Sequence, residues 1–341
     1  MGSAGDWRLP GTPGRPAGLM IGARIAEGVI DVHAHWLPRE LFDLPPDAPY
    51  GRMQDRNGEL FLGDIPLSIR ANAMSDVPAI LADMRAAGLG VRVLSAPPFA
   101  FPVAAGAGSY VAAFNDALAS VVSDAGGVLV GLGLVSLVDP DEARRQMEQV
   151  QRTEGMAGIA IPPLAHGHSL DRGAMRTILA HAADLDLAVL VHPMQLPRPE
   201  WSEHYLANLI GNPVETATAV AAVIMGGVLE QLPGLRICFV HGGGCAPGLL
   251  GRWNHGWRAR ADVRQDSTRQ PADTFGELFF DTVTHDPAQL RLLLGHASRR
   301  GVICGSDYPF DMAQQDPLRF AVDHGAEAEA LIAGGRAFLG L

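Results

Sequence analysis

Residues 29–38 read VIDVHAHWLP. Val29, Ile30 and Val32 are β-formers around Asp31, and His33 and His35 follow with one alanine between them. Side chains at i and i+2 of a strand share a face, so the two imidazoles converge on one point. That convergence suits a metal ion. Two hydrogen-bonded core histidines are the alternative, because two residues define no coordination geometry by themselves.

Working outward, similar β-branched or apolar runs recur at 91–97, 129–137, 156–162, 187–193, 235–243, 277–283 and 302–310. Most are continuously apolar, as parallel strands covered on both faces are. Helical patterns separate them. DVPAILADMRAAG stops at Gly88, and DPDEARRQMEQVQRTEG opens on acidic residues and also ends in glycine, matching dipole and capping preferences. Residues 204–230 give a long helical stretch that Gly211-Asn212-Pro213 is expected to bend or break. Eight β/α units predict an α/β fold, a (β/α)8 TIM barrel of the metal-dependent hydrolase type. Segment 37–75 is an insertion after the first strand, too rich in Pro and Gly for a regular helix. Residues 1–22 read as a disordered extension and 23–341 as a single barrel domain.

Composition removes whole classes of function. Of 341 residues 48% are hydrophobic, enough for a large core, and the net charge of −11 with no basic tract argues against a nucleic-acid surface. No apolar run is long enough to span a bilayer. The three cysteines, Cys238, Cys245 and Cys304, form no CxxC pair, which disfavours disulfides and thiolate zinc and fits a cytoplasmic location. All 26 basic residues are arginine. Without lysine there is no Schiff base, no Walker phosphate loop and no carboxylated-lysine metal bridge.

Chemistry in such barrels sits at the C-terminal ends of the strands. The first strand ends in His33 and His35, the fifth in His192, the sixth in His241 and the eighth in Asp307. Four histidines and a carboxylate at one mouth favour the metal reading of His33 and His35.

The motifs DVHAHWLP (31–38), LVHP (190–193), the run 212–244 ending in VHGGG, GRWNHGW (251–257), HDP (285–287) and GSDYPF (305–310) resemble those of the amidohydrolase superfamily. Within it, they are most similar to the aminocarboxymuconate semialdehyde decarboxylase family. The resemblance implies one divalent metal, zinc before manganese, held by His33, His35, His192 and Asp307 with a water completing the shell. It implies His241 as the acid/base residue, and the HGGG glycines are expected to clear space for substrate beside it. Arg252 and Arg260 stand 11 and 19 residues after His241, as arginines do in the family. By resemblance Arg252 binds a substrate carboxylate in the neighbouring subunit of a homodimer, an interface salt bridge being the alternative.

Two departures bear on the substrate, a small carboxylic acid. Met194 follows His192-Pro193 where the family carries tryptophan. The family's arginine for a second substrate carboxylate has no clear counterpart, with Arg70, Arg52 and Arg56 as candidates. The expected activity is therefore metal-dependent, non-oxidative decarboxylation of an unsaturated or aromatic acid of lower charge. A hydrolase or hydratase using the same metal-bound water, and a catalytically inactive binding protein, are the alternatives. His166 and His168 read as loop residues past the fourth strand, and His285 as a residue of the turn after the seventh. His181, His204, His255, His296 and His324 fall on helical patterns.

Overall fold

The computed structural model describes residues 26–46, 48, 51–196 and 198–341, so the extension read at 1–22 lies outside the described residues. In chain order, β1 (Ile30–His35) is followed by β2 (Met53–Arg56), β3 (Glu59–Leu62) and β4 (Ile65–Arg70). Next come β5 (Val91–Ser95), β6 (Leu129–Gly133), β7 (Met156–Ile161) and a small hairpin of β8 (Leu164–Ala165) and β9 (His168–Ser169). The chain finishes through β10 (Ala188–Val191), β11 (Arg236–Phe239), β12 (Phe279–Asp281) and β13 (Val302–Ile303). Eight of these pair in the order β1-β5-β6-β7-β10-β11-β12-β13, all parallel. The ends meet where Val32 N donates to Cys304 O at 2.9 Å and His35 N to Tyr308 O at 2.7 Å. This is the expected (β/α)8 TIM barrel, with every barrel strand inside the run read for it.

The strands are shorter than the apolar runs. Beyond the strand ends the chain leaves the sheet, and these stretches carry the buried His192 and Asp307 and the half-buried His241. Helices cover the outside. Asp139 caps the helix Pro140–Arg152 by accepting from Asp141 N at 2.9 Å and Glu142 N at 3.1 Å, which satisfies amides that the first turn leaves free.

One barrel strand carries a buried cation. Arg92 on β5 donates to Asp31 on β1 at 2.9 Å, pairs with Asp83 at 2.8 Å, and lies 4.5 Å from the centre of the Tyr308 ring. Asp31 also accepts from Ser306 N at 3.0 Å and Ser306 Oγ at 2.6 Å. This network links β1, β5 and the segment after β13, and so fixes the seam of the barrel beside Asp307.

Two expectations are refined. The insertion is not irregular: β2, β3 and β4 form an antiparallel sheet that leads into a short helix, Ala71–Ser75. Its turns, Asn57-Gly58 with both φ positive and Gly63, absorb glycines that argued against a regular helix. The long helical stretch does not break at Gly211-Asn212-Pro213. A π-type turn, Ala207–Gly211, runs directly into the helix Asn212–Met225, because Pro213 falls in the first turn, where its missing amide costs no bond. The interruption comes at Gly227, with φ of 62°, and His204 sits before the helix in a turn, at φ 55°.

Candidate metal centre

His33 and His35 do share a face, with their Nε2 atoms 3.3 Å apart. β10 delivers His192 one residue past its end, β11 delivers His241 two residues past its end, and the segment after β13 folds back to present Asp307. The carboxylate of Asp307 divides these histidines. Its Oδ1 lies 3.1 Å from Nε2 of His33, 3.1 Å from that of His35 and 4.0 Å from that of His192. Its Oδ2 lies 3.3 Å from Nε2 of His241.

The other ring nitrogens distinguish the imidazoles from one another. Nδ1 of His33 is 2.6 Å from Asp281 Oδ2, that of His35 is 3.2 Å from Ala96 O, and that of His192 is 2.7 Å from Pro193 O. Anchoring Nδ1 in this way fixes the tautomer and turns the Nε2 lone pair inward, as metal-binding histidines require. His241 differs, since its buried Nδ1 has no hydrogen-bond partner among the described residues. The Nε2 of His192 is also buried without a partner. It faces the group with nothing to accept from, which fits a cation between these side chains. The ligand atoms of His33, His192, His241 and Asp307 all lie within 4.8 Å of one another, a set that includes His241 and leaves out His35, although His35 Nε2 lies 3.1 Å from Asp307 Oδ1. The shared oxygen and the anchored Nδ1 favour His35.

Burial and charge set the protonation. Burial pushes His192 down to about 3 and lowers His35 as well. For His33 burial works in the same direction, but the Asp307 and Asp281 carboxylates outweigh it and push the group up to about 10. Burial alone would raise Asp307 and Asp281. The charge of His33 holds Asp307 well below the ordinary carboxylate range, helped by contacts to His192 and His241, and the bond from His33 lowers Asp281.

His241 has φ of 55°, Asp307 62° and His285 58°, in the left-handed region that non-glycine residues rarely occupy. Gly242 and Gly244 line the cavity beside His241, as expected, and the three glycines also have a conformational role. Gly242, Gly243 and Gly244 all have positive φ, and a Cβ on them would meet Thr284 at 2.6 Å, the Phe280 ring at 2.8 Å and Pro213 O at 2.2 Å. They are needed by the turn and by its close packing. Gly242 N donates to Asp281 Oδ1 at 2.8 Å, so Asp281 braces both His33 and the loop of His241.

Two cavities open at Asp307. One, of about 560 Å³, extends over His192 between Leu62, Ile65 and Leu67 of the insertion and Trp201 and Tyr205, with Phe99, Met194 and Phe310 also on its wall. The other, of about 320 Å³, borders His241, Cys245 and His285, and burial lowers His285. Met194 thus stands where a substrate contact was expected. Arg252, on the helix Ala246–Ala259, and Arg260 are exposed, line neither cavity, and Arg260 pairs with Asp262 at 2.7 Å. Arg52 pairs with Asp43 and Arg56 with Asp64, each at 3.0 Å, and neither these nor Arg70 line a cavity. His166 and His168 are exposed on the β8–β9 hairpin. Asp281 went unnoticed in the sequence although it ends the seventh barrel strand, the kind of position that singled out the others.

The amidohydrolase family profile matches residues 30–335. The chain belongs to this family. It is 28% identical over 300 residues to the 2-amino-3-carboxymuconate-6-semialdehyde decarboxylase of Dictyostelium discoideum, covering 84% of this chain and 83% of that one. Among solved structures it superposes on apo Metarhizium anisopliae IDCase with a TM-score of 0.76 at 21% identity, over 92% of this chain and 96% of that one. It also superposes on the 5-carboxyvanillate decarboxylase of Novosphingobium aromaticivorans, complexed with manganese and 4-hydroxy-3-methoxy-5-nitrobenzoic acid, with a TM-score of 0.73 at 17% identity, over 92% and 96%. Among the described residues no helix of this amidohydrolase is long and apolar enough to cross a membrane.

Proposed function

We propose that this amidohydrolase is a metal-dependent, non-oxidative decarboxylase of an aromatic or unsaturated carboxylic acid. The observation that carries the reading is the division of labour around Asp307. One oxygen faces three histidines whose other nitrogens are anchored, and the second faces a histidine that is not anchored. Relatives named as decarboxylases support the reaction type.

His33, His35, His192 and Asp307 would hold one divalent ion. Three imidazoles and a carboxylate suit zinc, favoured by the sequence resemblance, and manganese, present in a structural neighbour. When bound, the ion supplies a Lewis acid that withdraws charge from an oxygen of the substrate. Decarboxylation breaks a C–C bond, releases CO2 and leaves an electron pair on carbon that must receive a proton. His241 would hold and deliver that proton; its Nε2 turned toward Asp307 and its ring on the wall of the second cavity support this role. The apolar side chains on the wall of the larger cavity, Leu62, Ile65, Phe99 and Phe310 among them, would displace water from a bound acid, which favours dispersal of carboxylate charge in the transition state.

The same reading places the protein in a homodimer in which Arg252, exposed on the helix that follows His241, reaches the neighbouring site. Sedimentation equilibrium together with an Arg252→Ala variant tests this: a monomer, or an unchanged KM in the variant, removes it.

The deciding experiment measures CO2 release by zinc- and manganese-loaded protein from a panel of aromatic and unsaturated acids, with His241→Ala as control. Release that vanishes in the variant supports the reading. Turnover with no loss of carbon would make the enzyme a hydrolase or hydratase instead.

A further inference from the structure

The two cavities at Asp307 occupy different sectors of the barrel mouth. The larger is walled by segments that follow β1, β5, β10 and β13, and it opens between the exposed Ile65 and Tyr205. The second, of about 320 Å³, is formed mainly by the segments after β11 and β12, which bring His241, Gly242, Gly244, Val283, Thr284 and His285 to its wall. Asn208, Asn212, Asp307 and Met312 line both, so the two spaces are neighbours that meet at the Asp307 carboxylate. His285 and Gln289, on the wall of the second, are exposed, which gives that cavity its own opening to solvent.

The chemistry of decarboxylation fixes where its two products separate. The C–C bond breaks, its electron pair stays on the substrate carbon, and the same carbon takes up a proton. One carbon therefore has to meet the proton donor and shed CO2. With His241 as the donor, that carbon lies against an imidazole whose Nε2 is 3.3 Å from Asp307 Oδ2 and whose ring borders the second cavity. The body of the acid fits the larger cavity, of about 560 Å³, which Phe99, Trp201 and Phe310 flank. A carboxylate points away from the skeleton that bears it. With the skeleton in the larger cavity and the scissile carbon against His241, the breaking bond is directed toward the second cavity.

CO2 is small, linear and uncharged, so it needs neither a counter-charge nor a wide passage. Through a single mouth it would have to wait behind the product, next to the carbon it has just left. Product release limits many enzymes, and a separate way out removes that delay.

We infer that the second cavity receives the released CO2 and lets it leave past His285 and Gln289 while the decarboxylated product still fills the larger cavity. The inference rests on the decarboxylase reading of the same site.

The order of release tests it. Zinc-loaded protein is held at equilibrium with the acid that gives the most CO2, its decarboxylated product and a fixed level of isotopically labelled CO2. Acid and product are then raised together at constant ratio. Transfer of label into the acid should climb to a plateau, because CO2 enters and leaves while product stays bound. Transfer that peaks and then falls would mean that CO2 waits for the product to go, and would overturn the inference. His285→Trp and Gln289→Trp narrow the passage without touching the side chains of the metal centre. In at least one of them the plateau should turn into such a fall, and a plateau in both would overturn the assigned route. Crystals cooled under CO2 pressure add a reading without turnover. CO2 seated beside Thr284 and His285 supports the assignment, and CO2 confined to the larger cavity overturns it. If no acid of the panel releases CO2, the decarboxylase reading itself fails, and the inference with it.

Discussion

His33 Nδ1 lies 2.6 Å from Asp281 Oδ2, and both side chains are fully buried. The same carboxylate accepts from Gly242 N, so one side chain orients a metal-facing imidazole and the turn that follows His241. Replacing Asp281 with asparagine keeps an acceptor for Gly242 but removes the charge opposite His33. Metal affinity should fall about 10–100-fold, the usual effect of losing such a partner. Competition against a chromogenic chelator measures it, and unchanged affinity would mean that Asp281 only braces the loop.

His241 separates two roles that distance alone leaves open. If it carries the proton, His241→Gln retains stoichiometric metal and loses about 10²–10⁴-fold in turnover. Metal analysis of the dialysed variant, set beside its rate of CO2 release, tells the roles apart. A variant that no longer holds metal would make His241 a ligand.

The Asp31–Arg92 pair lies inside the barrel wall with both side chains almost wholly buried. Removing one partner strands the other charge. Arg92→Met should therefore destabilise the fold by about 3–5 kcal/mol, read from urea unfolding. A loss under about 1 kcal/mol would show that the hydrogen bonds from Ser306, or water, compensate the Asp31 charge.

Glu230 ties down a surface loop by accepting from Ser267 Oγ at 2.6 Å, Thr268 N at 3.1 Å and Thr268 Oγ1 at 2.5 Å. Burial pulls its pKa upward, but these hydrogen bonds outweigh it and the net displacement is downward. A folded pKa below the unfolded one stabilises at pH above the unfolded value, and that stability disappears as pH falls through the folded value. Wild type should thus lose stability to acid more steeply than Glu230→Gln in the range just below the ordinary glutamate pKa. Parallel unfolding curves for the two proteins from neutral pH down to acid would refute this.

Much of the site was legible because a barrel turns a one-dimensional rule into a three-dimensional one. Polar residues that end apolar runs must gather at one mouth, and His33, His35, His192, His241 and Asp307 do. Asp281 obeys the same rule but sits among phenylalanines in a run without histidine. The insertion was legible only as an interruption, since its strands are short and their alternation is weak. Asn212 gave no signal, because a helix-starting asparagine before proline is ordinary.

By itself the sequence determined the order and number of the strands, the identity of the converging side chains and the absence of any lysine chemistry. Those follow from local periodicity and residue type. Tertiary structure decided which oxygen of Asp307 each histidine faces, which ring nitrogens are anchored, and that an apolar sheet walls the larger cavity. These are distances between groups remote in the chain, 272 residues in the case of His35 and Asp307. Barrel closure and the buried Asp31–Arg92–Ser306 network set them, and periodicity carries no record of either.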